Sequence, residues 1–540
     1  MSLQLSKAPS SLFYVASFAV DIKLEEQFAA TNVSDPEYAP LMKSFFSKII
    51  NRAQTFGIHE THQAPNGVCL IKIGNGSYIG MAPHIDGSNR VFLWSQQGKI
   101  WITTIPEDGS NRVLELEESK PFLDITAQCF SVHNFGVMGM EFHPNFVSNG
   151  RFFFSYHCDK LRHSGCLSRC SCNSVINCDP AALQIDGGIE PCQYQIVVAE
   201  FTGNGTSSMP SLVESANPLE VRRIFTMRLL DRGVYGGQML FGPADGFLYV
   251  LTGTGTHGSN PYNFAQNKRS LLGKILRMDV DHNNPYNNDK QSTPEIWALG
   301  LRNPWRCSFD SERPSYFILD RFSKLSFSKT DLYKEIDMIT KGGNYGWPIY
   351  EGPYPFKPAN DQEGSTSARS NSPIFPVMGY NHSETNKTIG SASIIGRYFY
   401  RSQTDPCLYG RYLYIYLYPD GIWSGNENTE NSRNFTSSKI PYRCSRDSPI
   451  HGEPIAEGVM PAIGYVSFLE EDNRKYIHIL TTTGVYGVAS PNRCNYHCPK
   501  ERTVATTLLP HAFLSWKLRE REVPYALLIS SMMLLLLNLV

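Results

Sequence analysis

Six times along this chain a turn rich in Gly, Pro, Asn or Asp is followed at once by a short run of aromatic and β-branched residues. The runs are Val91-Phe-Leu-Trp94, Arg151-Phe-Phe-Phe-Ser-Tyr156, Phe247-Leu-Tyr-Val250, Ser315-Tyr-Phe-Ile-Leu319, Arg411-Tyr-Leu-Tyr-Ile-Tyr416 and Lys475-Tyr-Ile-His-Ile-Leu480. Such side chains sit well on a pleated surface, and the small polar residues ahead of them suit tight turns. Loosely similar units 60 to 100 residues apart predict an all-β fold, a six-bladed β-propeller whose blades differ in loop length. Helical periodicity is scarce; Leu41 to Arg52 carries the best of it and predicts a short helical segment near the N-terminus.

A chain of 540 residues with 41% hydrophobic and 12% aromatic content can bury one large core or two ordinary ones. Its 49 basic and 50 acidic residues nearly cancel, so no long-range field draws it to nucleic acid, and nucleic acid is excluded as a partner. Six of the 13 cysteines, Cys158, Cys166, Cys170, Cys172, Cys178 and Cys192, fall within 35 residues. That density reads as a disulfide-stapled insertion over 157–195, with a zinc site as the rival, although paired Cys-x-x-Cys spacing is missing. Sequons at Asn32, Asn75, Asn204, Asn381, Asn386 and Asn434 favour the disulfide reading, because N-glycosylation implies an oxidising, secretory compartment. An odd number of cysteines requires at least one unpaired within the chain.

Val523 to Val540 is an uncharged apolar run behind a charged spacer, Lys517 to Glu522. It predicts attachment to the extracellular face of the cell membrane, by a GPI lipid in the first reading and by a single span in the rival one. Leu12 to Val20 has the outline of a short signal peptide. Three regions follow: 1–67, 68–494 for the propeller, and 495–540 for spacer and anchor signal.

Four motifs carry the functional information: Gly236-Gly-Gln-Met-Leu-Phe-Gly-Pro-Ala-Asp-Gly-Phe-Leu-Tyr249, Gly273-Lys-Ile-Leu-Arg-Met-Asp-Val280, Arg302-Asn-Pro-Trp305 and Lys341-Gly-Gly-Asn-Tyr-Gly-Trp347. In this order they resemble the soluble quinoprotein glucose/sorbosone dehydrogenases, nearest the plant-type Hedgehog-interacting-protein-like (HIPL) branch, over roughly residues 68 to 494. The resemblance implies a six-bladed propeller, a pyrroloquinoline quinone (PQQ) cofactor, calcium, and oxidation of a sugar. It also implies that residues 1–67 hold the truncated remnant of a folate-receptor-like region.

In that family a histidine just before the glycine pair takes the proton of the sugar hydroxyl while hydride passes to the quinone. Val234 and Tyr235 stand there in this chain. Valine cannot ionise, and a tyrosine of pKa about 10 is a poor base at neutral pH. Thr254 stands where an acidic partner supports that histidine, and it cannot stabilise an imidazolium. The calcium turn is replaced by Arg321 to Thr330, which holds three cations and no carboxylate, leaving the flanking Asp320 and Asp331 as candidate metal ligands. Arg302 and Asn303 match the positions that meet the quinone, where a guanidinium can pair with a carboxylate or carbonyl. Two function classes follow: a membrane-attached sugar dehydrogenase, and a non-catalytic propeller binding a small sugar or an extracellular protein or carbohydrate.

Overall fold

The computed structural model describes residues 65–132, 135–166, 193–204, 213–229, 235–254, 264–281, 294–321, 333–356, 372–381, 394–451 and 463–498. The 1–64 and 499–540 regions lie outside them, and with these the helical segment and the anchor signal; so do Val234, Asp331, Asn32, Asn386 and the four cysteines from Cys170 to Cys192.

Six sheets form the blades: five have four meandering antiparallel strands, and the sixth has four such strands with Tyr442–Cys444 added in parallel at its edge. Blades 1 to 5 start at Gly80–Pro83, Val137–Phe142, Gly236–Phe241, Pro304–Phe309 and Ile394–Phe399. Blade 6 takes Val466–Glu471, Ile477–Thr481 and Gly484–Ala489 from the end of the propeller and Val68–Gly74 from its beginning. The first strand of each blade touches the first strand of the next, and that of blade 6 touches blade 1, so the ring closes. Val68–Gly74 runs antiparallel to Gly484–Ala489, and the Cys69–Cys494 disulfide locks this junction.

All six aromatic and β-branched runs fall on the second strand of a blade, one run per blade. A second strand has sheet neighbours on both edges and an adjacent blade on both faces, so its apolar side chains need not alternate with polar ones. Each seam between blades holds its own apolar cluster. Between blades 1 and 2, for example, Phe92, Phe142 and Phe152 are buried together, the Phe92 and Phe142 centroids 4.9 Å apart. Burying such a ring contributes about 1.5–3 kcal/mol. Charges meet where the first strands converge: Arg397 pairs with Glu470, near Glu141 and Arg306. Burial lifts the Glu141 carboxyl to about 7 and lowers Arg306 to about 10, the cost of holding such groups away from water.

The segment between Arg151–Asp159 and Tyr194–Thr202 is the connection from the second to the third strand of blade 2. A Cys158–Cys166 disulfide stands at its root. Cys407–Cys498 is a third bridge, and Cys129, Cys307 and Cys444 are free thiols.

Candidate functional site

The glycine pair at the start of blade 3 is demanded by geometry. Gly236 and Gly237 have φ of 66° and 110°, and a Cβ on Gly236 would lie 2.8 Å from the Leu251 carbonyl oxygen. Only glycine takes both conditions cheaply. The chain can then pass close to the next strand: the Gly253 amide donates to the Tyr235 carbonyl at 2.7 Å, and the Gly273 amide to the Gly253 carbonyl at 3.0 Å. The Thr254 amide donates to the Arg302 carbonyl at 2.9 Å, and Asn303 Oδ1 accepts the Gly236 amide proton at 3.1 Å. These backbone contacts bring Tyr235, Thr254, Arg302 and Asn303 together at one end of blades 3 and 4, although 67 residues separate Gly236 from Asn303.

The Lys341-to-Trp347 motif folds onto the same end. Leu299 and Tyr345 amides donate to the Gly343 and Leu299 carbonyls at 3.0 Å each, and the Trp347 amide donates to the Gly300 carbonyl at 3.0 Å. This sets Trp347 beneath Arg302, whose guanidinium lies 4.6 Å from the indole centroid. Arg302 Nη1 donates to Glu351 Oε1 at 3.0 Å, and both side chains are nearly buried, at 12% and 6% exposure. Cation–π contact and a charge-assisted hydrogen bond together hold this arginine in one orientation.

Tyr235 is buried and stacks on Phe135 at 4.9 Å, with the His157 ring edge-on to it at 5.3 Å. His157 is fully buried, bonded through Nδ1 to the Gly136 backbone, and burial pushes its pKa down to about 3, so the imidazole is neutral at neutral pH. Thr254 is buried as well. Beneath the glycine contacts, Lys274 Nζ donates to the Phe264, Ala265 and Leu272 carbonyls at 2.7, 3.0 and 2.7 Å. Burial lowers its pKa to about 7.

Asp320 is apart from this cluster, in the second strand of blade 4. Its Oδ1 accepts the Arg306 amide at 2.7 Å and its Oδ2 the Gly396 amide at 2.8 Å, while burial raises its pKa to about 7. His143 is a strand-end residue, bonded to Asp281 and to the Asn145 amide. Among the described sequons, Asn75, Asn204 and Asn434 are exposed and Asn381 is half-buried. Sequence reasoning gave no role to Glu351, His157 or Lys274: Lys274 lies within the Gly273-to-Val280 motif, and no motif marks Glu351 or His157, which only folding brings near.

Two relatives decide the family. The chain is 51% identical to the HIPL2 protein of Arabidopsis thaliana over 86% of its own length and 69% of the relative's, and 51% identical to the HIPL1 protein of the same plant over 82% and 65%. The chain belongs to the HIPL proteins. A glucose / sorbosone dehydrogenase family profile matches residues 199–406 of this HIPL chain, which takes in all four motifs. The soluble aldose sugar dehydrogenase of Escherichia coli, in its apo form, aligns with 15% identity and a TM-score of 0.49 over 78% of this HIPL chain and 99% of that one. The HIPL chain spans about two thirds of the length of the two plant proteins, 69% and 65%.

Proposed function

We propose that this HIPL chain is a cell-surface propeller that has kept the architecture of a PQQ-dependent sugar dehydrogenase and lost its chemistry, so that it binds a sugar or an extracellular partner without oxidising it. The observation that carries this reading is the Arg302–Glu351 pair over Trp347. A guanidinium that should receive a quinone carboxylate or carbonyl is already engaged by an internal carboxylate. The neighbouring groups add to it. Asn303 is 3% exposed and its oxygen is used by Gly236, while Tyr235 and Thr254 are buried and neither is an imidazole or a carboxylate.

The residues present are therefore a poor host for PQQ. They suit calcium no better: both Asp320 oxygens accept backbone amides, and a hard cation needs several free oxygen ligands. Exposed sequons, disulfides and the Val523–Val540 run support passage through the secretory pathway and attachment to the membrane's extracellular face.

The test is PQQ titration of the purified protein, followed by protein fluorescence, and dye reduction with glucose in excess PQQ and calcium. The reading expects neither saturable quenching nor turnover. Sugar oxidation at rates ordinary for enzymes, roughly 1 to 10³ per second, overturns it. The second reading, an active dehydrogenase, draws on Arg302 and Asn303 standing beside the glycine pair as the family resemblance requires. The same titration separates the two.

A further inference from the structure

Of the three bridges among the described residues, Cys407–Cys498 differs from the other two in what surrounds it. Cys69, Cys494, Cys158 and Cys166 are all buried, whereas Cys498 is only half-buried beside a buried Cys407. A thiol from outside can therefore reach the Cys498 sulfur and not its partner. The bridge joins the connection between the first two strands of blade 5 to the chain that leaves blade 6, just beyond the Cys69–Cys494 link. Because Cys69–Cys494 holds the ring junction on its own, Cys407–Cys498 can open without opening the propeller.

The same connection carries Asp405, which is 1% exposed, and one of its carboxylate oxygens and the two sulfurs all lie within 4.8 Å of one another. That distance is within reach of proton transfer, directly after a small rotation or through one water. Oδ1 accepts the Cys407 amide proton at 3.1 Å and fixes the turn. Oδ2 has no hydrogen-bond partner. A buried oxygen left unpaired is costly, and a redox or proton-transfer role is one reason a fold keeps one. Burial outweighs the backbone amides that favour the carboxylate and lifts its pKa to about 6, so the group exchanges its proton close to neutrality. Opening the bridge needs such a group. When a thiolate attacks Cys498 Sγ, the Cys407 sulfur leaves with almost no access to water, and a buried thiolate is a poor leaving group unless it is protonated.

We propose that Cys407–Cys498 is a thiol–disulfide exchange site for an external dithiol, with Asp405 as the group that gives a proton to the departing Cys407 sulfur and takes it back when the bridge re-forms. The attacking thiolate bonds to Cys498 Sγ as the bond between Cys498 and Cys407 breaks, and the Asp405 proton passes to Cys407. The second thiol of the dithiol then attacks the mixed disulfide, and Cys498 leaves and takes a proton from solvent. The dithiol is oxidised to a disulfide; the protein bridge takes up the two electrons, and two protons replace the two that the dithiol loses. Once open, residues 495–498 are no longer tied to blade 5. No residue of the Arg302 end takes part.

Reduction of the intact protein by dithiothreitol between about pH 5 and 8 tests this, with acid quenching, alkylation and mass mapping of each bridge. Cys407–Cys498 should open at least about tenfold faster than the two buried bridges. Its rate per dithiothreitol thiolate should fall as pH rises through about 6, because the donor proton is lost. Asp405→Asn keeps an acceptor for the Cys407 amide; it should remove the inflection and slow opening at the acid end by about 10²-fold, the low end of general acid catalysis. Tyr400 and Arg411 pack on the turn, the first accepting the Asp405 amide and the second donating to the Cys407 carbonyl, and neither changes charge in this range. His497, exposed beside Cys498, is controlled by His497→Gln, which should leave the inflection in place. A profile without an inflection, an inflection lost with His497, an Asp405→Asn protein that opens at the wild-type rate, or opening no faster than that of Cys69–Cys494 would each overturn the proposal. The wild-type and His497→Gln profiles decide it even where Asp405→Asn fails to fold.

Discussion

Removing the carboxylate that holds Arg302 separates a spent cofactor arginine from a competent one. In Glu351→Gln the guanidinium loses a charged acceptor at 3.0 Å in a site where both side chains are at most 12% exposed. Breaking a buried pair by deleting one partner costs about 3–5 kcal/mol. The amide oxygen of glutamine still accepts one hydrogen bond, and the Trp347 face still supports the cation at 4.6 Å, which returns about 1–2 kcal/mol. The net expectation is a loss of about 2–3 kcal/mol in urea unfolding. Arg302→Met alone should cost a similar amount, and the double variant less than the sum, with a coupling energy of about 1–2 kcal/mol. If Glu351 competes with an external carboxylate, the single variant should also gain affinity for PQQ, by roughly tenfold to a hundredfold in fluorescence titration. Coupling within error of zero, or a wild-type protein that binds PQQ as tightly as Glu351→Gln, would refute the reasoning, because the pair would then be neither strong nor in the way.

Reduction or Cys69→Ser should destabilise the propeller by about 2–5 kcal/mol in thermal or urea unfolding, since the bridge spans a sequence separation of 425 and closes the ring; an unchanged midpoint would contradict this. Asp320 releases its proton near 7 when folded and near 4 when unfolded, so between these values the folded state binds more protons and stability falls as pH rises. Asp320→Asn should flatten that slope, worth up to about 4 kcal/mol, while itself lowering stability through a lost backbone acceptor. Gly237→Val should reduce soluble yield, because its Cβ would lie 2.9 Å from Met138 Cβ at a φ of 110°. Expressed in a eukaryotic secretory host, the protein should carry glycans at the exposed Asn75 and Asn434, detected by mass shift on enzymatic deglycosylation, and phospholipase release should distinguish a GPI lipid from a membrane span.

The propeller was legible in the sequence because each blade announces itself locally. The second strand is buried on every side, so Phe152-Phe-Phe154 or Tyr412-Leu-Tyr-Ile-Tyr416 must be apolar without interruption, and the turn before it must bend. The glycine pair was equally legible, since its left-handed backbone admits little else. That Val234, Tyr235 and Thr254 offer no imidazole or carboxylate is likewise a property of residue type. What no local pattern contains is the partner across the fold. Cys69 could not be matched to Cys494, nor Arg302 to Glu351, because each pairing exists only after the ring has closed or a loop has folded back. Asp320 makes the same point. By sequence it is a candidate metal ligand beside a stretch with no carboxylate, and sheet register turns its oxygens to the Arg306 and Gly396 amides, 14 and 76 residues away. Residue chemistry decided which groups could act, and tertiary structure decided which of them were already in use.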